Sequence, residues 1–386
     1  MLKIFEAFVG IGSVRIALDN LNIPYESVGI SEVDKWAIQA YDAIHNEQIE
    51  LTDVSKEEML NEINNKHIAY NFSTYKSEIP KNLNDLKRLY YAHMRSKNYG
   101  DIILIDPKEL PDFDLFTFSP PCKNISIAGR QEGFDKNSDT QSALIWHCEK
   151  IIREKRPKYL IFENVKNIVG KNHIGNFLEW CKILEGYGYV NHWKILNASN
   201  FGLPQNRERC IMFSCLKEYD DRKELPEGNN KEMVLNSILD DPEDKYIINI
   251  YDSKDKLKLD LCEPINKNIS ILNDGNEYKR LIQLGMINRK GNQSTRRVYA
   301  SNGLCPTLNS MNGGNRQPKV VMFYNDKYVI KKMSPIECWR AQGLKDELFY
   351  KAKNIGKLSD SKLYERSGRT IPIGMLEEVL KKYLIK

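Results

Sequence analysis

The sequence predicts an α/β fold in which a doubly wound, mostly parallel sheet carries helices on both faces, joined to a smaller domain that is irregular and partly β. In the first half of the chain, short apolar runs alternate with segments whose apolar residues recur at helical spacing, a pattern typical of parallel sheets. Beyond about residue 217 this alternation is replaced by loop-rich sequence such as NDGNE and NGGNRQP, which indicates a second domain.

The elements of the first half follow in a regular order. The runs LKIFEAF and YESVGISE predict two strands, and the residues after the intervening GIG predict a helix between them. A second helix is expected over residues 36–44. Residues 51–100 are polar and mixed in charge, and they interrupt the alternation as an inserted helical segment. The runs DLFTF, YLIFE and RCIMFSC then predict three further strands, with a helix over residues 144–152.

The end of the chain returns to the helical pattern. Apolar residues between Met375 and Leu384 recur at helical spacing, so we expect the C-terminus to fold back onto the first domain. The predicted division is therefore residues 1–216 plus 356–386 for the α/β domain and residues 217–355 for the second domain.

Composition argues against several classes of protein. The 386 residues are 41% hydrophobic and 28% charged with a net charge of +5, and no apolar run reaches the roughly 18 residues that a membrane span needs. The N-terminus lacks the features of a signal peptide, so we expect a cytoplasmic protein. None of the eight cysteines forms a C-x-x-C pair and all six histidines precede residue 193, so the sequence predicts no metal site.

Positive charge is concentrated in one part of the second domain. Residues 281–330 contain seven lysines or arginines and one acidic residue, Asp326. Such an excess indicates a surface that contacts phosphates, as in nucleic-acid-binding proteins. A solvated face with scattered arginines explains the same composition equally well.

A glycine-rich turn, FVGIGS at residues 8–13, stands between the first strand and the first helix. Glycines there let a ligand approach closely, and Glu32 follows Gly10 by 22 residues, where a carboxylate binds ribose hydroxyls in doubly wound folds. Arg15 occupies the position of the third glycine of the dinucleotide fingerprint, which favours a nucleoside without a diphosphate, such as S-adenosylmethionine. Asp101 is suited to accept a hydrogen bond from an adenine amino group. A purely structural turn remains the alternative.

Cys122 lies behind two prolines in FSPPCKN, residues 118–124. The prolines end the preceding strand abruptly, and a rigid turn at the carboxyl end of a strand presents its residues to the ligand crevice of a doubly wound sheet. Cys122 is therefore a candidate nucleophile, and the polar residues 123–141 are a candidate loop that closes over a substrate. The alternative is a buried structural cysteine.

Two further segments supply an acid and two cations. Glu163 follows the apolar run YLIF directly, and a carboxyl beside apolar side chains can act as a proton donor. Arg207 and Arg209 alternate just before a predicted strand. Residues two apart in an extended chain share a face, so both guanidinium groups could reach a base oxygen and a phosphate. A helix cap and a solvated basic turn are the structural alternatives.

In their order along the chain, these segments resemble the DNA (cytosine-5) methyltransferase family. The shared segments are FVGIG, the Pro-Cys turn, ENV at 163–165, QNRER at 205–209, CPTL at 305–308 and SGRTIPI at 367–373, and they extend over nearly the whole chain. The resemblance implies a Rossmann-like methyltransferase fold that uses S-adenosylmethionine and releases S-adenosylhomocysteine. It also implies that residues 217–355 form the target-recognition domain.

The resemblance assigns a role to each candidate catalytic residue. Cys122 would add to carbon 6 of a flipped-out cytosine, which makes carbon 5 able to accept a methyl group. Glu163 would act at ring nitrogen 3 and Arg209 at the 2-oxygen, with Arg207 as a further catalytic candidate. The reaction implied is methylation of carbon 5 of cytosine in a specific duplex DNA sequence.

The resemblance also assigns binding residues. The cofactor-binding candidates are Phe8, Gly10, Ile11, Gly12, Glu32, Val33, Asp101, Ile102 and Pro121. The candidates for DNA contacts are Lys123, Ser126, Gln131, Arg289, Gln293, Arg296, Thr307 and Arg316, and Asn292, Asn312 and Gln317 add hydrogen-bonding groups in the same loops. The sequence departs from the family pattern at Lys123, Val33 and Arg369–Thr370, where glutamine, an aromatic residue and asparagine–serine are usual.

Other functions compete with this interpretation. The nearest is a transfer-RNA cytosine-5 methyltransferase of the same architecture, whose sequences also carry a Ser-Pro-Pro-Cys turn. A nucleic-acid-binding protein without activity is disfavoured by intact Cys122, Glu163 and Arg209, and a nicotinamide-dependent oxidoreductase by Arg15. We expect duplex DNA as the partner, and the sequence leaves two alternatives for a functional partner: a cognate restriction endonuclease in restriction–modification, or none, as in an orphan or phage enzyme. We also expect a monomer without membrane contact.

Overall fold

The computed structural model describes most of the chain. The described residues are 1–71, 76–121, 125, 141–221, 224–229, 231–248, 271–272, 275–287, 290–311, 315–325 and 327–385. Several residues selected from the sequence lie outside these ranges: Cys122, Lys123, Ser126, Gln131, Arg289 and Asn312.

The described elements alternate between strand and helix in the first half. The strands are β1 (Leu2–Ala7), β2 (Tyr25–Ser31), β3 (Tyr70–Asn71), β4 (Lys76–Ser77), β5 (Leu115–Phe118), β6 (Tyr159–Val165), β7 (Tyr189–Asn197), β8 (Gln205–Asn206), β9 (Glu208–Leu216), β10 (Ile247–Ile248), β11 (Gln283–Met286), β12 (Arg297–Ala300), β13 (Cys305–Pro306), β14 (Lys319–Tyr324) and β15 (Lys327–Lys332). The α-helices are α1 (Ser13–Asn20), α2 (Lys35–His45), α3 (Lys56–Asn65), α4 (Leu83–Arg95), α5 (Ile145–Lys155), α6 (Ile174–Gly186), α7 (Pro335–Arg340), α8 (Asp346–Asn354), α9 (Asp360–Arg369) and α10 (Ile373–Leu384). None of the helices in the described part of the chain has the length and apolar character to cross a membrane.

A six-stranded sheet with the order β2-β1-β5-β6-β9-β7 lies at the centre of the first half. The first four strands run parallel, and β9 runs antiparallel to both of its neighbours. The predicted doubly wound, mostly parallel α/β fold is confirmed. The five strands that the sequence predicts occupy neighbouring positions, and the edge strand β7 is an addition that the sequence does not predict.

Apolar side chains on alternate residues of the strands build one core on each face of this sheet. Ile4 and Leu115 pack in a cluster with α1 and α10, whereas Phe5 and Phe116 pack on the other face with α5 and α6. All four side chains are inaccessible to solvent. Because both faces are covered, the strands appear in the sequence as continuous apolar runs.

The described residues of the insert, 51–71 and 76–100, contain the two helices that the sequence predicts as a helical segment, with the short antiparallel pair β3 and β4 between them. Helices α3 and α4 pack on each other through residues such as Met59 and Leu86, and against Ile38 of α2. A backbone bridge also joins the end of the insert to β2. The insert therefore has a small core of its own that rests on the main domain beside β2.

A five-stranded sheet with the order β10-β15-β14-β12-β11 lies in the second half of the chain. Strands β12 and β14 are parallel, and the other neighbours are antiparallel. Its apolar side chains, among them Leu284, Val298, Val321 and Ile330, are buried in a separate cluster. The predicted partly β region beyond residue 217 is confirmed.

Helices α7 to α9 follow the second sheet along the chain and pack on both sheets, since Cys338 of α7 and Tyr364 of α9 are buried with Val320 of β14. Trp339 and Phe349 lie in the same buried cluster as Ile4 of β1. Large aromatic side chains bury much apolar area and so bind the elements that carry them firmly together. The predicted domain division at residue 355 stays a prediction.

Candidate active site

A pocket opens at the carboxyl ends of β1 and β5, where the first strand turns into α1. In a doubly wound sheet this is the place where ligands bind. The turn from Phe8 to Ile11 forms one wall, so the structure brings Phe8, Gly10 and Ile11 together as the sequence predicts. The remaining walls come from the end of β5 and the C-terminal segment: Thr117, Phe118, Ser119, Arg366, Arg369, Thr370 and Ile371.

The two glycines of the turn have different surroundings. Both adopt left-handed backbone conformations, with φ of 59° at Gly10 and 76° at Gly12. A Cβ added at Gly10 meets no atom within 4 Å, whereas one added at Gly12 would lie 2.3 Å from Nε2 of His45. Gly10 therefore leaves open space at the pocket wall for the close approach of a ligand, while Gly12 is required for packing against α2.

Glu32 is fixed beside the turn by three backbone donors. Its Oε2 accepts from the Gly10 amide at 3.0 Å, and its Oε1 accepts from the amides of Val33 and Asp34 at 2.9 Å each. Burial raises the pKa of Glu32 above its ordinary value, and the charge of Asp34 adds to this effect. Val33 is half-buried and contributes its backbone here rather than an aromatic ring.

Asp101 and Ile102 are tied to Glu32 because Asn98 joins the two segments. The side-chain oxygen of Asn98 accepts from the amides of Glu32 and Gly100 at 3.0 Å each. Asp101 is 4% exposed, and its side chain caps the short 3-10 turn that begins at Ile102. The sequence carries no motif that would identify Asn98, which is one of many asparagines in the insert.

A network of charges, in which Arg366 and Glu365 are buried and Arg369 is exposed, holds the C-terminal wall of the pocket. Oδ2 of Asp34 accepts from Arg366 at 2.7 Å and from Arg369 at 3.0 Å, and Glu365 bonds to both arginines. Burial acts to raise the pKa of Asp34, but the two guanidinium groups outweigh it and hold that pKa below its ordinary value. Arg369 and Thr370, which depart from the family pattern, are thereby held in the pocket wall.

A carboxylate and a guanidinium group face each other at the ends of β6 and β9. Oε1 of Glu163 lies 2.9 Å from Nε of Arg209, and the two side chains are 10% and 12% exposed. The strands are antiparallel neighbours with Val165 opposite Arg209, so the pair lies diagonally across them. The Ser119 hydroxyl also donates to the Glu163 carboxylate. The sequence predicts both members of the pair, but not Ser119.

The residues before Cys122 are bonded to the segment that carries Glu163. The Asn164 side chain donates to the Pro120 carbonyl at 3.1 Å, and Pro121 is half-buried. Cys122 itself lies outside the described residues. The structure therefore brings the start of the Pro-Cys turn to the acid–guanidinium pair, and the role of Cys122 stays a prediction.

Arg207 has different partners from Arg209. It lies between β8 and β9, is 2% exposed, and donates to the carbonyls of Leu308, Gly368 and Thr370 at 2.7, 2.9 and 3.1 Å. It thus joins the QNRER, CPTL and SGRTIPI segments at the place where β8 pairs with β13. This geometry favours a positioning role over contact with a base, and a catalytic role for Arg207 stays a prediction.

The predicted DNA-contacting residues that the structure describes differ in exposure. Gln293, Thr307 and Arg316 are exposed, whereas Arg296 is half-buried and its Nε donates to a backbone carbonyl at 2.9 Å. The Thr307 hydroxyl donates to the Asn206 carbonyl at 2.6 Å, which fixes it beside the QNRER segment. Contacts between these residues and DNA stay predictions.

A group of three potential metal ligands occurs at the β7 edge of the sheet, within the described part of the chain. Nε2 of His192 and Oδ1 of Asp220 are 2.9 Å apart in a hydrogen bond, with Cys215 beside them. Burial raises the pKa of the Cys215 thiol to about 12, and the charge of Asp220 adds to the effect. The Cys215 thiol also donates to Oδ1 of Asp220 at 3.9 Å, so these three side chains form a hydrogen-bonded group that joins neighbouring elements.

Glu6 is a buried carboxyl in the wall of the pocket. It is 1% exposed, its Oε2 accepts from the Tyr41 hydroxyl at 3.0 Å, and Arg15 donates to that hydroxyl at 2.9 Å. Burial raises the pKa of Glu6 to about 7, although Arg15 and Tyr41 both act to lower it. A carboxyl that titrates near neutral pH thus lies within the pocket.

The free energy of unfolding should fall as the pH rises from 4.5 to about 7 because of Glu6. In this window the unfolded chain has lost the Glu6 proton and the folded protein has kept it, so rising pH favours unfolding. We expect this contribution to decrease by about 3 kcal/mol across the window. Urea denaturation at several pH values gives the slope of the free energy of unfolding against pH. This slope should be smaller in Glu6→Gln, which keeps an acceptor for Tyr41, than in the wild type. Equal slopes in the two proteins would rule out this role of Glu6.

The chain is similar to known proteins over almost its whole length. The family model described as C-5 cytosine-specific DNA methylase matches residues 2–72 and 64–384. The chain is 38% identical over 391 residues to Type II methyltransferase M2.ScrFI of Lactococcus lactis subsp. cremoris, covering 99% of each chain. It is 32% identical over 399 residues to Orphan methyltransferase M.SssI of Spiroplasma monobiae, covering 99% of this chain and 97% of that relative. The crystal structure of S. pombe Dnmt2 methyltransferase shares the fold, with a TM-score of 0.59, 15% identity and coverage of 100% of this chain and 98% of that chain.

Proposed function

The chain belongs to the C-5 cytosine-specific DNA methylase family, and on that premise we propose how its residues methylate carbon 5 of cytosine in duplex DNA. The observation that carries the proposal is the buried Glu163–Arg209 pair, whose atoms are 2.9 Å apart. Ser119 bonds this pair to the turn that precedes Cys122. An acid, a cation and a thiol are the groups that the reaction needs around one cytosine ring.

Cys122 is the nucleophile in this proposal. Its thiolate adds to carbon 6 and forms a sulfur–carbon bond, while electron density moves through carbon 4 to nitrogen 3. Glu163 takes up a proton from solvent and donates it to nitrogen 3, which leaves an enamine whose carbon 5 takes up the methyl group. Removal of the carbon 5 proton by a base, return of the nitrogen 3 proton to Glu163 and departure of the thiolate restore the ring.

Arg209 connects the acid to the 2-oxygen of the ring. Its Nε binds Glu163 and its Nη1 donates to the Glu208 carbonyl at 2.8 Å, so we assign Nη2 to the 2-oxygen, where negative charge develops. The pair is nearly buried, and hydrogen bonds to charge are stronger where water is excluded. Arg207 does not contact the cytosine in this proposal, but holds the QNRER segment against its neighbours.

The pocket beside this pair suits S-adenosylmethionine. Gly10 leaves open space at the pocket wall. Glu32 and Asp101 lie beside the pocket rather than in its lining, joined to it through the Gly10 amide and Asn98, and we assign Glu32 to the ribose hydroxyls and Asp101 to the adenine amino group. S-adenosylmethionine supplies the methyl group and becomes S-adenosylhomocysteine. We assign Arg369 to the carboxylate of its methionine part, because this guanidinium group is 45% exposed in the pocket wall.

Duplex DNA is favoured over transfer RNA as the substrate, since the family description names DNA. The exposed side chains of Gln293, Thr307 and Arg316 are suited to read base edges in a groove. A target base within a duplex has to be flipped out before Cys122 can reach carbon 6. The relatives are named as Type II and as orphan methyltransferases, so the restriction endonuclease partner stays a prediction, as does the monomeric state.

We expect plasmid DNA from an expressing host to carry 5-methylcytosine at one recurring sequence, which bisulfite sequencing would identify. Purified protein should transfer labelled methyl groups to duplex DNA and not to transfer RNA. The variant Glu163→Gln keeps the size of the side chain but cannot transfer a proton. It should lower kcat by about 10²–10⁴-fold. Labelling of transfer RNA alone, or full activity of Glu163→Gln, would overturn the proposal.

A further inference from the structure

The loop at residues 66–69 connects the helical insert to the cofactor side of the main domain. Its backbone is bonded to both segments that we assign to the adenine end of the cofactor. The Asp101 amide donates to the Lys66 carbonyl at 2.9 Å, and the Ala69 amide donates to the Val33 carbonyl at 2.8 Å. The insert, which has no part in the reaction derived above, therefore adjoins the proposed adenine site.

The backbone of this loop adopts an unfavourable conformation. His67 and Ala69 both have positive φ, 52° and 59°, in a region that residues with a Cβ seldom occupy. Gly100 makes room for the loop, since a Cβ added there would lie 2.3 Å from the Lys66 carbonyl oxygen. Backbone strain of this kind persists where the surrounding structure requires it, often at functional sites. Here it brings His67 to Asp101.

The imidazole of His67 and the carboxylate of Asp101 form a hydrogen-bonded pair. Nδ1 and Oδ2 are 3.0 Å apart, and the side chains are 47% and 5% exposed. The other oxygen of Asp101 accepts from the Ile103 amide at 3.1 Å. The carboxylate is thus held from both sides, and each of its oxygens can still accept a second hydrogen bond.

We propose that His67 is a positioning residue for the adenine end of S-adenosylmethionine, and that the insert thereby completes this part of the cofactor site. The inference rests on the proposed function, because it takes Asp101 as the acceptor of the adenine 6-amino group. Without the donor at Oδ2, the Asp101 carboxylate is oriented from one side only, and its lone pairs are less well aimed. His67 acts through Asp101, so its loss affects only ligands that donate to that carboxylate.

Calorimetric binding of two ligands tests this inference without measuring turnover. S-adenosylhomocysteine carries the 6-amino group, and S-inosylhomocysteine carries an oxygen at the same position. The ratio of their dissociation constants therefore reports on the contact to Asp101. We expect His67→Ala to weaken binding of S-adenosylhomocysteine about 10-fold, with binding of the inosyl ligand almost unchanged.

Two conservative variants separate positioning from folding. His67→Asn should restore most of the ratio, because its amide nitrogen can replace Nδ1 and asparagine tolerates a left-handed backbone. His67→Gln places its amide further from the backbone and should not restore it. If His67→Ala does not fold, as thermal unfolding would show, this comparison decides instead, and equal ratios in the two variants would overturn the inference.

A second histidine of the insert provides the control. Nε2 of His93 lies 3.1 Å from a carboxylate oxygen of Glu62, so His93→Asn alters a similar pair in the same insert and should leave the ratio unchanged. A wild-type ratio in His67→Ala together with a reduced ratio in Asp101→Ala would overturn the inference alone. A wild-type ratio in Asp101→Ala would instead overturn the proposed placement of the cofactor.

Discussion

Replacement of Cys122 by alanine is expected to lower methyl transfer to duplex DNA by about 10⁴-fold or more, with cofactor binding retained. In the proposed reaction, carbon 5 becomes reactive only after a thiolate adds to carbon 6, so no other group can substitute for the sulfur. The Glu163–Arg209 pair polarises the ring but forms no covalent bond. Loss of the thiol should therefore reduce the rate more than loss of the acid in Glu163→Gln.

A duplex with 5-fluorocytosine at the target position provides the measurement. Fluorine at carbon 5 cannot leave as a proton does, so the wild-type protein should stay covalently attached and migrate slowly in a denaturing gel. Cys122→Ala should give no such complex. Cys181→Ala is the matched control, because it removes a thiol from the core formed by α6 and should leave the complex intact. A covalent complex in Cys122→Ala would show that another residue is the nucleophile.

The sequence predicts best those strands that are covered on both faces. Strands β1, β5, β6 and β9 appear as apolar runs because their side chains are buried in one core or the other. The edge strand β7 has few buried residues, and most of its side chains are half-buried or exposed. Its sequence, YVNHWKILN, therefore contains neither an apolar run nor a clear alternation.

Helices α6 and α7 do carry local signals. Phe177, Cys181 and Leu184 recur at helical spacing and are buried in α6. Ser334 and Glu337 form the capping box that begins α7. The signal of α7 is short and stands within the loop-rich sequence beyond residue 217, whereas α6 continues the alternation of strand and helix in the first half. These two helices could be predicted from the sequence, in contrast to β7.

The candidate site likewise contains some residues that the sequence predicts and others that it does not. Gly10, Glu163 and Arg209 stand at strand ends in recognisable segments, so the sequence predicts them. The residues that orient such groups come from distant parts of the chain. Arg366 bonds to Asp34 across 332 positions of sequence, and only the complete fold brings them together. A contact of this kind leaves no local pattern from which it could be predicted.

A buried ion pair next to the second sheet should have the largest effect on stability. Nζ of Lys331 lies 2.6 Å from Oε1 of Glu337, and the two side chains are 1% and 0% exposed. Lys331 belongs to β15, whereas Glu337 belongs to α7, where Trp339 packs into the core of the first sheet. Glu337 also accepts from the amides of Ser334 and Asp240 at 2.7 and 2.8 Å. The pair thus ties the proposed target-recognition sheet to the catalytic core.

We expect Glu337→Gln to lower the free energy of unfolding by about 3–5 kcal/mol. The substitution preserves the shape of the side chain but leaves the Lys331 ammonium group buried without its counter-charge. Urea denaturation followed by circular dichroism would measure the change. The double variant Lys331→Met, Glu337→Gln should recover much of the loss, because no unpaired charge then stays buried.

Glu347→Gln is the matched control, since Glu347 pairs with Lys351 at 3.0 Å on the surface of α8. Exposed ion pairs contribute little, so this variant should unfold almost as the wild type does. The two variants remove the same charge, but Glu337 and its partner Lys331 are both buried and Glu337 accepts from two backbone amides, whereas Glu347 is 69% exposed. The pair connects the second sheet to the helices that pack on the first. Glu337→Gln should therefore weaken DNA binding more than it weakens cofactor binding. Equal stability of the two single variants, or a double variant no more stable than Glu337→Gln, would mean that the buried charge is not what connects the two sheets.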